Sequence, residues 1–297
     1  MGQILITSAR LPGHAAARLR LSMITITKSI PGMLGSFTTL LARLFSHSPE
    51  STLSAAIEKR EIVPVYQPFF DSQTGNIAGI EVLARWNHPL YGPVSPDTFI
   101  PLAEKHRLIA PLTHHLIQQV IADLQPCIHL FPDRLYINLN LSPHNCLDPR
   151  FETDTLELLQ KLAVGQIQLV IEITEQNPLH FTPQLSEWFA TLRQSNIALA
   201  LDDFGTGYSN LAYIHSLEPE FIKIDKLFVS QICENGDTRL VDSLIELAKK
   251  MHLSIIAEGV ETEAQADYLR LKNSDFLQGY FFCKPMKIHE IIERIHA

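Results

Sequence analysis

Residues able to hold a divalent cation or a phosphate recur along this chain at one kind of place, the end of a short apolar run. Glu81, Asn140, Glu172, the adjacent pair Asp202–Asp203, Lys223, Glu258 and Gln278 each stand toward the C-terminal end of such a stretch. Asp, Asn, Glu and Lys are disfavoured inside strands. One of them alone reads as a solvated strand end, but seven runs ending this way are poorly explained by chance. Five carboxylates brought to one rim repel each other at low dielectric, and a single lysine cannot offset them. Divalent cations can. An all-oxygen set with asparagine as a neutral ligand suits Mg²⁺ or Mn²⁺ better than zinc. The pair Asp202–Asp203 can serve two ions about 3.5–4 Å apart, the arrangement used for in-line phosphoryl displacement. The 13 histidines read as surface or core residues, since none ends one of these runs and His114–His115 lacks an HExxH context.

The elements that must position these residues alternate. From about residue 51, short β-branched runs at 62–70, 77–86, 136–142, 169–174, 196–204, 220–225, 254–260 and 276–282 are separated by longer segments of helical period. The first two are joined by DSQTGN, too short for a crossover helix, so they pair antiparallel as a hairpin. Later links such as 98–124 and 237–252 have room for helices, and in the latter Leu240, Leu244, Leu247 and Ala248 fall on one face. The expected fold is α/β, a TIM-like (β/α)₈ barrel with an antiparallel first strand, with an open doubly wound sheet as the alternative. No GxGxxG opens a helix after a strand, which lowers the dinucleotide-binding version of that alternative. In a barrel the strand C-termini meet on one face, where active sites are built. Alternation puts Glu81 with Arg85 on one side of their strand, and Asn138 with Asn140 and Ser142 on one side of theirs.

Composition sets the frame. The 297 residues are 46% hydrophobic and 19% charged, enough for a large core and incompatible with global disorder. The net charge is −8, yet the segment before Glu50 carries Arg10, Arg18, Arg20, Lys28 and Arg43 and no acidic residue, so the remainder is more acidic still. That argues against a nucleic acid polymer as partner and leaves room for a small phosphate substrate where cations reverse the local field. Cys127, Cys146, Cys233 and Cys283 form no CxxC pair and read as free thiols of a reducing compartment. Residues 1–50 read as a peripheral leader or as the stub of a membrane-anchored parent, and 51–297 as one domain. Lys28, Pro31 and Arg43 interrupt every window long enough to span a bilayer.

YQP (66–68), EVLARW (81–86), FIPLAE (99–104), NLS (140–142), EITE (172–175), DDFGTGYSNL (202–211), KID (223–225), AEGVE (257–261) and QGYFFCKPM (278–286) together resemble the successive motifs of EAL-domain cyclic-di-GMP phosphodiesterases. The resemblance covers about 58–293, with Val82 where the signature has alanine. It implies hydrolysis of cyclic-di-GMP to linear pGpG with two Mg²⁺ or Mn²⁺ ions. Glu81, Asn140, Glu172 and Asp202 would then hold one ion, with Asp202 bridging to a second held mainly by Asp203. Lys223 and Gln278 would attend the attacking water, and Glu258 would act near the metals as base or ligand-holder. It further implies that Gln67, Leu83, Arg85, Asp225 and Pro285 contact substrate. Glu175 would steady the loop Phe204, Gly205, Thr206, Gly207 and Tyr208, which lies at a homodimer interface in that family. EVLARW and FIPLAE also resemble EAL domains of membrane-anchored periplasmic sensors, which implies a cytoplasmic catalytic domain and an inner-membrane contact through residues 1–50. A catalytically inactive EAL module, sensing cyclic-di-GMP or acting by protein contact, is the rival reading. Such members typically lose metal ligands or the lysine, and here all are present.

Overall fold

The computed structural model describes residues 48–131, 134–162, 167–174, 179, 181–206, 211–234 and 237–295. The strands are β1 (Ile62–Asp71), β2 (Ile77–His88), β3 (Gly92–Val94), β4 (Leu135–Leu141), β5 (Ile167–Thr174), β6 (Ile197–Phe204), β7 (Phe221–Ile224), β8 (Ser254–Ala257) and β9 (Phe276–Leu277). Around them lie helices α1 (Pro49–Glu58), α2 (Pro96–Lys105), α3 (Ile109–Leu124), α4 (Pro149–Leu162) and α5 (Pro183–Gln194). The series ends with α6 (Leu211–Leu217), α7 (Lys226–Glu234), α8 (Arg239–Lys250), α9 (Glu263–Leu271) and α10 (Ile288–Ile295). The order β1-β9-β8-β7-β6-β5-β4-β2 closes on itself through the β1–β2 pairing, and β3 hangs on β2 outside the ring. Closure leaves those eight strands without an unpaired edge.

β1 runs antiparallel to both neighbours, β2 and β9, while β2, β4, β5, β6, β7, β8 and β9 succeed one another in parallel. The reason is local. The link after β1 is fixed by Asp71, whose Oδ1 accepts from the backbone N–H of Gln73 and of Thr74, so the chain turns at once into β2. Outward-facing residues such as Ile137, Leu139, Ile171, Leu199, Ile222 and Ile255 join the helices in the main core. Inside the barrel Phe69, Val170, Ala200, Phe221 and Ile256 are buried together, with Tyr136 and Phe276 against them. The rings of Phe69, Tyr136, Phe221 and Phe276 pack in offset and edge contacts at 5.3–6.3 Å. A β-carbon on Gly79 would lie 2.2 Å from the Phe69 ring, so this position has to stay bare for the plug to form. The floor of the barrel is apolar and filled, and polar residues gather above it.

Three expectations change. β8 and β9 are shorter than the runs 254–260 and 276–282, because the chain leaves the sheet at Ala257 and Leu277. β3, a three-residue strand, was not foreseen. On α8 the buried stripe is Val241, Ile245 and Ala248, whereas Leu240 is 55% exposed. Ala248 is buried and Leu244 and Leu247 pack against the core as expected, so the departure is Leu240, with Val241 and Ile245 taking the inner side. Cys127, Cys146 and Cys283 are free thiols, as expected. The 1–50 leader falls on residues 1–47 outside the described set, apart from Ser48–Glu50. No helix among the described residues is long and apolar enough to cross a membrane.

Candidate active site at the C-terminal rim

Lys223 sits at the centre. Its side chain is 1% exposed, and Nζ lies 2.7 Å from Glu258 Oε1, 2.9 Å from Glu172 Oε1, 3.1 Å from Asp202 Oδ1 and 3.6 Å from Glu81 Oε2. These residues come from five strands or strand ends, so only closure of the barrel can assemble them. Amides fill the gaps. Gln278 Nε2 donates to Glu81 Oε2 at 2.8 Å, Asn140 Nδ2 to Glu81 Oε1 at 3.3 Å, and Asn138 Nδ2 to Glu172 Oε1 at 2.7 Å.

Asp202 and Asp203 share the rim for a specific reason. In a regular strand adjacent side chains point to opposite faces. Between Leu201↔Ile222 and Phe204↔Ile224 the β6–β7 register shifts, so two residues of β6 stand opposite Lys223 alone. That is a β-bulge. Asp203 takes a left-handed backbone, φ 56°, and its N–H donates to Asp202 Oδ1 at 3.0 Å. Ligating oxygens of Asp202, Asp203 and Glu258 then lie within 4.8 Å of one another. Among the described residues this is the one group of three such side chains close enough to share an ion.

The protonation pattern reports a shortage of positive charge. Burial drives Glu172 well above the usual carboxylate range, opposed by Lys223 and reinforced by Glu81, Asp202 and Glu258. Burial likewise pushes Glu258 up to about 8 against the pull of Lys223. Asp203 rises to about 6, first from burial and then from the negative charge of Asp202 and Asp225. For Lys223 burial acts downward, but the surrounding carboxylates outweigh it and raise the ammonium well above its ordinary value. One ammonium does not saturate the cluster. Glu172 Oε2 and Gln278 Oε1 are buried acceptors without a hydrogen-bond partner. Unmet oxygen acceptors beside clustered carboxylates fit hard divalent cations.

Two loops carry the last members of the site. Glu258 and Gln278 each follow a strand, and the backbones after them are stitched together by Gln278 N–H to Ala257 O, Val260 N–H to Gln278 O and Phe281 N–H to Val260 O. At Gly279 a β-carbon would stand 2.1–2.7 Å from backbone atoms of Val260, which cannot step aside cheaply. We expect Gly279→Ala to cost about 3 kcal/mol of stability, the upper part of the overpacking range, and to lower activity by displacing Gln278. Urea unfolding measures the first effect, and an unchanged midpoint would contradict it.

The remaining expected residues divide. Gln67 faces Glu81 across the β1–β2 register, and Gln67, Leu83, Arg85, Asp225 and Pro285 are all half-buried. Arg85 Nη1 donates to the Ala84 carbonyl at 2.9 Å. Asp225 turns its Oδ1 to the Leu227 N–H at the start of α7. Phe204 is buried, Gly205 and Thr206 are exposed, and Thr206 closes a turn by donating to the Asp203 carbonyl. Glu175, Gly207 and Tyr208 lie outside the described residues. Sequence reasoning gave Asn138 no role, although alternation put it on the face of Asn140. It also overlooked Ser142 Oγ, which donates to Glu104 at 2.7 Å and ties the end of β4 to α2. His114 Nδ1 lies 2.8 Å from Oδ1 of the buried Asp154, a pairing that involves none of the rim residues.

A closed α/β barrel with an acidic, cation-seeking rim at its strand C-termini defines the class. The EAL domain family matches residues 50–285, and the chain belongs to that family. It is 45% identical over 246 residues to the cyclic di-GMP phosphodiesterase PdeL of Escherichia coli (strain K12), covering 82% of this chain and 68% of that protein. It is 41% identical over 259 residues to the probable cyclic di-GMP phosphodiesterase PdeG of the same organism, covering 86% of this chain. The chain spans about half the length of PdeG, 51%. Among solved structures, the PaMucR phosphodiesterase in complex with c-di-GMP superposes with a TM-score of 0.74 at 28% identity, covering 82% of this chain and 100% of that one.

Proposed function

We propose that this chain hydrolyses one phosphodiester bond of cyclic di-GMP to give linear pGpG, with Mg²⁺ or Mn²⁺ held on the carboxylate rim. The observation that carries the reading is the cluster around Lys223, which gathers more buried carboxylate than one ammonium can neutralise. Asp202, Asp203 and Glu258 would hold one cation, and Glu81, Asn140 and Glu172 another, with Asp202 shared between them. When bound, two such cations lower the pKa of a water and neutralise charge developing on the phosphate.

The chain's own residues supply the rest. Lys223, charged at neutral pH, directs its three N–H donors at the carboxylates and would turn one to a water or phosphate oxygen once cations engage those carboxylates. Gln278 and Asn140 hold Glu81 from two sides. Arg85 brings a planar guanidinium suited to a phosphate oxygen, with Gln67, Leu83, Asp225 and Pro285 as further substrate contacts. The aromatic floor closes the barrel to water from below, so charge interactions at the rim are strengthened. Homodimerisation through the loop at 204–208 and an inner-membrane contact by residues 1–50 of a cytoplasmic enzyme complete the proposal.

Purified chain incubated with cyclic di-GMP is expected to release pGpG with Mg²⁺ or Mn²⁺ and none with EDTA, while cyclic-di-AMP stays intact. Chromatography of the products decides it. Tight binding of cyclic di-GMP without pGpG would favour the sensing module instead.

A further inference from the structure

We infer that Asn138 is a positioning residue that fixes the plane in which Glu172 offers its one free oxygen to a cation, an inference that rests on the cation-binding reading of the rim. Asn138 lies on β4 two residues before Asn140, level with Glu81 in the β2–β4 register. It and Glu172 are each 1% exposed. The Asn138 amide approaches Glu172 Oε1 to 2.7 Å, and because a carboxylate only accepts, the atom facing it is the nitrogen. Lys223 Nζ reaches the same oxygen at 2.9 Å. Oε1 is thus engaged by two donors while Oε2, equally buried, has none.

The division of labour follows from who else each donor serves. Lys223 is shared among four carboxylates at 2.7–3.6 Å and cannot by itself fix the rotation of one. The Asn138 amide has Glu172 as its side-chain partner and enforces one orientation. Rotating the carboxylate out of this plane would break a charge-assisted bond, whereas a half-turn only restores the same arrangement with the oxygens exchanged. Glu172 therefore presents Oε2 alone.

Asn138 is also costly where it stands. Its Oδ1 is buried without a partner, and Val170, beside it in the β4–β5 register, is apolar. An apolar side chain here would avoid that unpaired oxygen. A residue that pays such a cost while orienting one carboxylate is explained by the ligand that carboxylate serves. Partners that orient metal-binding side chains in this way typically change metal affinity 10–100-fold when removed.

The test is Mn²⁺ binding by calorimetry on the full chain without substrate, paired with thermal melting in EDTA. Asn138→Leu keeps the branched shape, at a somewhat larger volume, and removes both the donor and the unpaired oxygen. The expected result is a Kd for Mn²⁺ raised about 10- to 100-fold, with the melting temperature in EDTA equal to or above that of the parent. A variant that melts lower but binds Mn²⁺ as tightly as the parent would show a purely structural role and overturn the inference. Asn138→Ala is read by the same two measurements should the leucine variant not fold. A parent chain that binds no Mn²⁺ would instead overturn the cation reading itself, so the two failures are distinguishable.

Discussion

Lys223→Met is expected to unfold the metal-free chain far more readily and to abolish turnover. The ammonium is the charge against which Glu81, Glu172, Asp202 and Glu258 are packed, at 2.7–3.6 Å. Methionine matches the length of the stem but leaves those carboxylates to repel one another. Removing one partner from a buried ionic cluster costs about 3–5 kcal/mol, which for a domain of this size lowers Tm by about 10 °C. The loss should be largest in EDTA and partly restored by Mg²⁺, because cations can replace the missing charge. Turnover should fall at least about 100-fold even with Mg²⁺ saturating, since the ammonium proposed to attend the water or phosphate oxygen is gone. Melting curves with and without Mg²⁺ check the first part. An EDTA melt unchanged from the parent would mean that the cluster is not held together as described.

The second large effect is expected at Glu81. Its two oxygens collect Gln278 at 2.8 Å, Asn140 at 3.3 Å and Lys223 at 3.6 Å, so it links β2, β4, β7 and the loop after β9. Glu81→Ala removes a carboxylate from the rim and releases both amides at once. We expect hydrolysis of cyclic di-GMP to drop by about 10³-fold or more, with substrate binding measured separately to show that the pocket survives. Glu81→Gln keeps the shape and loses the charge. It should be nearly as inactive if the charge matters most. A fully active Glu81→Ala protein would remove the basis of the assignment.

Much of this site was legible before folding was considered. Polar residues at the ends of apolar runs marked the rim, because a strand interior rejects Asp, Glu, Asn and Lys unless something holds them there. The short DSQTGN link announced the antiparallel start, and Asp71 fixes that turn through its own backbone contacts. Strand lengths were less legible. Glu258 and Gln278 follow their strands instead of ending them, since the chain leaves the sheet to pair the loops at Val260 and Gln278. The inward face of α8 was legible only in part, with Leu240 wrongly included and Val241 and Ile245 missed, because periodicity counts apolar residues without knowing which side the barrel occupies.

Taken alone, the sequence picked out the residues proposed to carry the chemistry, because residue type and local order are written in it directly. It could not determine how Asp202 and Asp203, neighbours on one strand, come to share a face. That depends on the bulge opposite Lys223 and the left-handed backbone at Asp203. Nor could it reveal that one lysine is ringed by four carboxylates, or that Asn138 engages one oxygen of Glu172 and leaves the other free. Those facts arise only when the barrel closes, because they join residues from different strands whose distances no local pattern encodes.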